Sequence, residues 1–180
     1  MGKLRPLLIA VLFWGLLWPV FPVWAGGRRL TATPDQLRAL YVQRLVKYVA
    51  WPDGTGPAPG QPFIVAATDP ARLRPYFPAP GPGKESDFRL VRWPARCDLL
   101  VLAGASRREV AAILKRVADK PVLTITQDPE GPALGAVVNF YMQGGRLKIE
   151  VGLGAARRAG LSISSRLLQL VRIHEGPDRE

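Results

Sequence analysis

The sequence is poor in the side chains from which most catalytic and metal sites are built. Its 180 residues include one cysteine and one histidine. A single cysteine excludes a disulfide framework within the chain, and one cysteine with one histidine excludes an ordinary zinc site. Acids are scarce as well, with 14 Asp and Glu against 25 Lys and Arg. No paired spacing typical of acid–base catalysis or metal binding is found among Asp87, Asp98, Asp128, Glu130 and Glu150.

Long apolar runs are also missing, except at the start of the chain. Residues 7–17 are continuously apolar, Lys3 and Arg5 precede them, prolines follow, and Ala25 is a small residue suited to signal-peptidase cleavage. This three-part layout is typical of a secretory signal. The alternative is a retained membrane anchor, but a helical span needs roughly 20 apolar residues and this run is shorter.

This layout divides the chain into three predicted segments. Residues 1–25 are predicted to be a cleavable signal peptide, residues 26–174 a single α/β domain, and residues 175–180 a frayed tail. We therefore expect the mature protein to be exported.

The net charge of +11 raises the question of a polyanionic partner. Export argues against nucleic acid, and the arginines are spread along the chain and do not form one stripe. The two interpretations that remain are a solvated basic surface and a surface that contacts anionic lipid headgroups, anionic glycans or an acidic protein face.

Periodicity and turn residues predict strands alternating with helices. A helix opens at Thr33 and ends at Trp51-Pro52, and a second follows the capping residue Ser106 with an apolar stripe at Val110, Ile113, Leu114 and Val117. Strands are predicted at residues 63–68, 88–93, 97–103, 121–126, 136–142 and 146–151, a short helix at 154–159, and a last helix from Ser162 or Ser164 through Ile173. The fold class is therefore α/β: a sandwich with a mainly parallel central sheet flanked by helices, plus a C-terminal antiparallel hairpin.

Two motifs suggest chemistry but have simpler explanations. Gly152-Leu153-Gly154 follows a strand and opens a helix, as a dinucleotide fingerprint does, but Arg157 takes the place of the third small residue. We interpret it as a helix start. Ser164, Ser165 and His174 could suggest a hydrolase, yet no strained turn presents a serine. The alternative is that Ser162 and Ser164 cap the last helix and His174 lies at its C-terminal end. We therefore predict no catalytic residues, no metal and no cofactor.

Cys97 stands at the start of a strand that is apolar on both faces. Burial is expected to raise the pKa of its thiol and to make it inert. The alternative is a disulfide between two chains.

Tyr48 and Trp51 place two large aromatic side chains at the exit of the first helix. One interpretation is that they seal the edge of the sheet. The other is that they are an exposed anchor for a partner protein, since Tyr and Trp supply a large contact area at low entropy cost.

Several segments resemble the YfiR/HmsC-like periplasmic proteins. Residues 40–52, LYVQRLVKYVAWP, are similar to that family's K-Y-x-x-W-P helix, and residues 97–102 and 120–126 to two of its strands. The ending resembles the family most specifically. It includes Asn139-Phe140, then LKIEV at residues 147–151, and AARRAGLSISSRLL at residues 155–168.

The resemblance implies an exported, non-enzymatic regulator. Such a protein binds the periplasmic sensor domain of an inner-membrane protein, a diguanylate cyclase or a histidine kinase, and represses it. Lower cyclic-di-GMP and restrained biofilm formation would follow. The resemblance also implies a homodimer. As the partner-binding surface we hypothesise Tyr48, Trp51, Pro52, Phe140 and Leu153. The alternative function is a periplasmic module that binds anionic glycans or lipid headgroups.

The chain departs from the family pattern at three positions. Ala50 replaces the usual acid before Trp-Pro, and Gly152 replaces an Asn. The cysteine that would pair with Cys97 is missing near Val65, which argues against redox control within one chain.

Overall fold

A seven-stranded mixed sheet, covered by helices on both faces, forms the centre of the fold. The structure is a computed structural model that describes residues 34–77 and 86–175. These residues belong to one unit, Ala32–Glu180. The predicted signal peptide and residues 176–180 of the predicted tail lie outside the described residues. In the described part, no helix is both long and apolar enough to cross a bilayer.

The elements alternate along the chain much as the sequence predicts. The helices are α1 (Pro34–Leu45), α2 (Pro70–Leu73), α3 (Arg107–Val117), α4 (Leu153–Arg158) and α5 (Ser165–Leu168). The strands are β1 (Val49–Ala50), β2 (Phe63–Ala67), β3 (Phe88–Arg92), β4 (Leu99–Val101), β5 (Leu123–Thr126), β6 (Val138–Gln143), β7 (Arg146–Gly152), β8 (Ser162–Ile163) and β9 (Arg172–His174). Short 3₁₀ turns at Val46–Tyr48 and Arg74–Tyr76 follow α1 and α2.

The strand order of the large sheet is β3-β2-β4-β5-β6-β7-β9, and β1 and β8 form a separate two-stranded sheet. Neighbouring strands in the large sheet are parallel, except for the antiparallel β6–β7 hairpin. This arrangement confirms the predicted α/β sandwich with its mainly parallel sheet and C-terminal hairpin.

The central strand β4 is buried on both faces, as its unbroken apolar sequence predicts. Leu99 and Val101 point into a core shared with α1 and α4, whereas Leu100 points into a second core against α3. The predicted stripe of α3 lies in that second core, and Ser106 caps the helix by accepting a hydrogen bond from the Glu109 N–H at 3.4 Å. We call the two sides of the sheet the α1 face and the α3 face.

Asp98 connects two strands at their amino ends. Its carboxylate accepts a hydrogen bond from the Ile64 N–H at 2.8 Å, and its own N–H donates to the Ile64 carbonyl at 2.9 Å. This position explains an acid directly before a buried apolar strand, because the side chain satisfies a backbone donor at the start of β2.

The prediction of one long last helix is wrong. Residues 162–163 are strand β8, only Ser165–Leu168 are helical, and Arg172–His174 form β9. The last strand pairs in parallel with β7, with Glu150 opposite Arg172 and Val151 opposite Ile173. By pairing with the open edge of β7, residues 172–174 satisfy their backbone hydrogen-bonding groups. This tertiary contact overrides the local helical spacing.

The first helix is also shorter than predicted. It ends at Leu45, and a 3₁₀ turn and the two-residue strand β1 replace its last turn before Trp51. The reason is again tertiary, since the backbone at Val49 and Ala50 pairs with β8 and cannot at the same time continue a helix.

Candidate functional site

The two segments that carry the most specific sequence motifs are hydrogen-bonded to each other. In the β1–β8 sheet, Val49 lies opposite Ile163 and Ala50 opposite Ser162, and the Ser164 N–H donates to the Tyr48 carbonyl at 2.8 Å. The segment before Trp51 is therefore held by the segment that follows α4, although more than a hundred residues separate them in the sequence.

Trp51 packs at one end of a row of aromatic rings. Its ring centroid lies 5.3 Å from that of Phe63, Phe63 lies 5.8 Å from Phe88, and Phe88 lies 5.8 Å from Phe77. The loop after Trp51 folds back over it, because a Cβ added to Gly56 would be 3.0 Å from Trp51 Cγ. The indole Nε1 is buried and has no hydrogen-bond partner in the described part of the chain. Trp51 therefore closes the core at the amino ends of β2 and β3.

Pro52 contacts the end of α4. A Cβ added to Gly160 would lie 2.9 Å from Pro52 Cγ, and Gly160 has a positive φ of 69°. The Gly160 N–H donates to the Arg157 carbonyl at 3.0 Å and the Leu161 N–H to the Ala156 carbonyl at 2.9 Å, which is how a glycine after the last helical residue closes a helix. The Trp-Pro turn and the helix end form one packed unit.

The structure gives the other hypothesised partner-binding residues different surroundings. Tyr48 is 37% exposed, and Leu153 is half-buried at the start of α4, against the core of the α1 face. Phe140 is buried in β6 and contacts the ring of Tyr41 at a centroid distance of 6.1 Å. Tyr48 and Leu153 are accessible to a partner, whereas Phe140 supports the surface from within the core.

A row of polar side chains crosses four strands on the α3 face. Thr126 lies opposite Asn139, Asn139 opposite Glu150, and Glu150 opposite Arg172. Thr126 Oγ1 donates to Asn139 Oδ1 at 2.9 Å, and Arg172 Nε and His174 Nδ1 lie 3.5 Å and 3.9 Å from Glu150 Oε1. Thr126, Asn139 and Glu150 are buried, and Asn139 Nδ2 lacks a partner among the described residues. The row therefore runs from the interior to the surface at β9.

Sequence reasoning missed this row because it treated Glu150 as an isolated carboxylate. The alternation in β7 places Lys148 and Glu150 on one face, and the sequence does not show that Lys148 is exposed there while Glu150 is buried. The signal was Asn139 in an otherwise apolar part of β6, since a polar residue there needs a polar neighbour on the next strand.

His174 does not lie at a helix end, which corrects the prediction. It lies in β9 and faces Glu150, while Ser164 Oγ accepts a hydrogen bond from the Arg166 N–H at 3.3 Å and caps α5. Gly152 also has a structural explanation, since a Cβ there would be 2.6 Å from the Ala136 carbonyl oxygen. Within the described residues, no three His, Cys, Asp or Glu side chains are grouped so that they could hold a metal ion.

Cys97 is buried directly before β4. Burial raises the pKa of its thiol to about 11, and the charge of Asp98 acts in the same direction. A backbone hydrogen bond at Ala66 and the charge of Lys120 act against the rise. The thiol therefore stays protonated over the physiological pH range.

We expect iodoacetamide to alkylate Cys97 slowly in the folded protein. Only the thiolate reacts, and a pKa of about 11 in place of 9.0 lowers its fraction at pH 8 on the order of a hundredfold. Mass spectrometry should find alkylation at pH 8 about a hundred times slower in buffer than in concentrated urea, and the rate in buffer should rise with pH up to the pKa. Equal rates in buffer and urea would show that the thiol is exposed and reactive.

A family model described as YfiR/HmsC-like matches residues 35–172, from α1 into β9. The chain belongs to the YfiR/HmsC-like family. Members of this family are known as periplasmic regulators of diguanylate cyclases, and the family is regulatory rather than catalytic.

The structure bears on two of the positions at which this chain differs from the YfiR/HmsC-like sequence pattern. Gly152 replaces an Asn that the resemblance predicts, and here the closeness of the Ala136 carbonyl leaves no room for a side chain. The cysteine that would pair with Cys97 was expected near Val65. Val65 belongs to the core of the α1 face and Cys97 to that of the α3 face, so the side chains at these two positions lie on opposite sides of the sheet.

Proposed function

We propose that this protein is an exported, non-enzymatic regulator that binds the periplasmic sensor domain of an inner-membrane diguanylate cyclase and represses it. The observation that carries the proposal is the family match over residues 35–172. The sensor of a histidine kinase is the alternative target within the same class. Repression of a cyclase would lower cyclic-di-GMP in the cell and restrain biofilm formation.

The proposed binding surface centres on the Trp-Pro turn and the start of α4. Tyr48 offers an exposed phenol ring, Pro52 and Leu153 are half-buried, and β1–β8 pairing and the Gly160 contact hold the turn in place. Aromatic and aliphatic anchors on a rigid support lose little conformational entropy on binding. We propose that Tyr48, Pro52 and Leu153 contact the partner, with Trp51 and Phe140 supporting them.

Substitution of Tyr48 and Leu153 should release the repressed cyclase. In a strain that lacks the gene, a plasmid encoding the full chain is expected to lower cyclic-di-GMP, and Tyr48→Ala together with Leu153→Asp to abolish most of that decrease. The reason is that interface anchors typically contribute about 2 kcal/mol or more each. Cyclic-di-GMP is measured by mass spectrometry of cell extracts.

The matched control is Leu40→Ala, because Leu40 is an exposed large apolar residue on α1, outside the proposed surface. It should repress like the wild-type chain. A second control removes residues 1–25, which should abolish repression if export is required. A Tyr48→Ala/Leu153→Asp protein that reaches normal levels and represses fully would show that the partner binds elsewhere.

A second function, binding of anionic glycans or lipid headgroups, is supported by the charge. The chain has 25 Lys and Arg against 14 acids, and exposed arginines occur on separate elements, including Arg89 and Arg108. Such binding should weaken steeply between 50 mM and 500 mM salt, because added salt shortens the distance over which the basic side chains attract anionic groups. It should also occur on vesicles of anionic lipid that contain no protein.

A further inference from the structure

The exposed charges around the Trp-Pro turn and α4 are almost all positive. Residues 44–54 and 153–168 contain one acid, Asp53, and five exposed cations, which are Arg44, Lys47, Arg157, Arg158 and Arg166. Among the residues that the structure describes, Lys47, Arg158 and Arg166 have no ion-pair partner. The chain itself therefore leaves most of this positive charge uncompensated.

Two of these cations lie beside Tyr48. Lys47 directly precedes it in the 3₁₀ turn Val46–Tyr48. Arg166 follows closely after Ser164, whose N–H donates to the Tyr48 carbonyl at 2.8 Å. Positive charge therefore borders the position of Tyr48 from both of the segments that meet in the β1–β8 sheet.

A third cation lies beside Leu153. A Cβ added to Gly154 would be 3.5 Å from Arg158 Nη1, so the guanidinium extends back along α4 to the residue that follows Leu153. The other end of α4 is fixed to the Trp-Pro turn, because Pro52 contacts Gly160. The surface that joins Leu153 to Pro52 therefore carries positive charge as well.

The middle of this surface is small and uncharged. Ala50 lies opposite Ser162 in the β1–β8 sheet, and both residues are exposed. Because side chains directly opposite each other project from the same face of a sheet, these two form a floor of small side chains. This floor leaves room for side chains of a partner that reach toward Lys47 and Arg166, which are close to it in the sequence.

We propose that the sensor domain meets this surface with an acidic face, and that its carboxylates contact Lys47, Arg158 and Arg166. The inference rests on the proposed function and adds the chemistry of the partner's side. Interfaces commonly have an apolar centre and a polar rim, and opposite charge across the rim accelerates association and disfavours partners of the wrong sign. A second copy of the chain would bring the same cations to the interface, so the charge favours a different, acidic protein.

A new acid at position 50 tests the sign of the partner's charge. In a strain that lacks the gene, the full chain is produced at graded levels, its amount is measured by immunoblot, and cyclic-di-GMP is measured by mass spectrometry. The amount of chain that halves cyclic-di-GMP should be about tenfold higher for Ala50→Glu than for Ala50→Gln, because a carboxylate repels an acidic face. The two side chains have nearly the same size and differ in charge, and thermal unfolding checks that both variants fold.

A pair of charge reversals tests the place of the contact. Lys47→Glu should raise the amount of chain needed for half repression about tenfold. The matched control is Lys148→Glu, which changes the net charge equally but lies at an exposed position of β7 on the α3 face, away from the Trp-Pro turn, and it should repress like wild type. An equal loss in both variants would show a general attraction to anionic surfaces, such as lipid headgroups, and would overturn the inference.

Carbodiimide cross-linking identifies the partner's group directly. In membranes from cells that produce the full chain, the reagent joins a lysine amine to a neighbouring carboxylate as an amide. Mass spectrometry should find Lys47 joined to an Asp or Glu in the periplasmic domain of a membrane-bound diguanylate cyclase. Lys47→Arg keeps the charge but has no amine to cross-link, so this product should disappear.

Three outcomes would overturn the inference while the proposed function stands. With repression by the wild-type chain intact, these are equal repression by Ala50→Glu and Ala50→Gln, equal losses in Lys47→Glu and Lys148→Glu, and a cross-link from Lys47 only to a second copy of the chain. A wild-type chain that does not lower cyclic-di-GMP would remove the proposed function and this inference with it.

Discussion

Replacing Gly160 by alanine is expected to lower the free energy of unfolding by about 2–4 kcal/mol, through two costs that add. A non-glycine residue at a φ of 69° is strained, and its Cβ would press on Pro52 Cγ at 2.9 Å. The measurement is urea denaturation followed by tryptophan fluorescence. The Pro52–Gly160 contact packs the Trp-Pro turn, which belongs to the proposed binding surface, against α4.

Gly145→Ala is the matched control for this substitution. Gly145 has nearly the same φ, 71°, but a Cβ there meets no atom within 4 Å. It should cost about 1 kcal/mol, the conformational part alone. The difference between the two variants then measures the contact with Pro52. Equal losses in both variants would show that the two motif segments are not packed as described.

The second large effect is expected for Trp51→Ala, which should lower the free energy of unfolding by about 3 kcal/mol. The indole packs on Phe63, and its removal leaves a cavity at the end of the aromatic row. Trp51→Phe should recover much of this loss, since it keeps an aromatic ring against Phe63. Tyr48→Ala, at an exposed position, should cost less than about 1 kcal/mol.

The variants Trp51→Ala and Tyr48→Ala separate the two interpretations of the aromatic residues, sealing of the core and anchoring of a partner. If Trp51→Ala unfolds like wild type and nevertheless loses binding to the partner, Trp51 is a surface anchor and the packing role is wrong. The expected result is the reverse, with Trp51 acting on stability and Tyr48 on binding.

The architecture could be predicted because its core strands are distinctive in sequence. The apolar run at Leu99–Val101 identifies a strand buried on both faces, and the stripe from Val110 to Val117 identifies the helix that covers it. The hairpin was predictable from Gly144 and Gly145, both of which have positive φ in the turn. These features depend on local patterns that one element carries by itself.

Residues 162–174 could not be predicted in the same way, since their structure depends on distant partners. The helical spacing from Ser164 to Ile173 is real, but β7 offers an unpaired edge to Arg172–His174 and β1 offers one to Ser162–Ile163. Pairing preferences of short strands are set by such neighbours and hardly at all by intrinsic propensity.

The candidate site was predicted only in part for the same reason. The sequence identified Tyr48, Trp51 and Leu153 as notable, but it did not show that the Trp-Pro turn packs on Gly160. It also did not show that Glu150 is buried between Asn139 and Arg172, because cross-strand neighbours become visible only with the strand register.

We propose that the chain acts by binding the sensor domain of a membrane-bound diguanylate cyclase. The most direct test adds the purified chain without residues 1–25 to such a cyclase, solubilised in detergent, and measures cyclic-di-GMP synthesis. We expect a saturable decrease in synthesis that the Tyr48→Ala/Leu153→Asp protein fails to produce and that Leu40→Ala reproduces. Unchanged synthesis at saturating concentrations of the folded chain, across the membrane-bound diguanylate cyclases of the same organism, would contradict it.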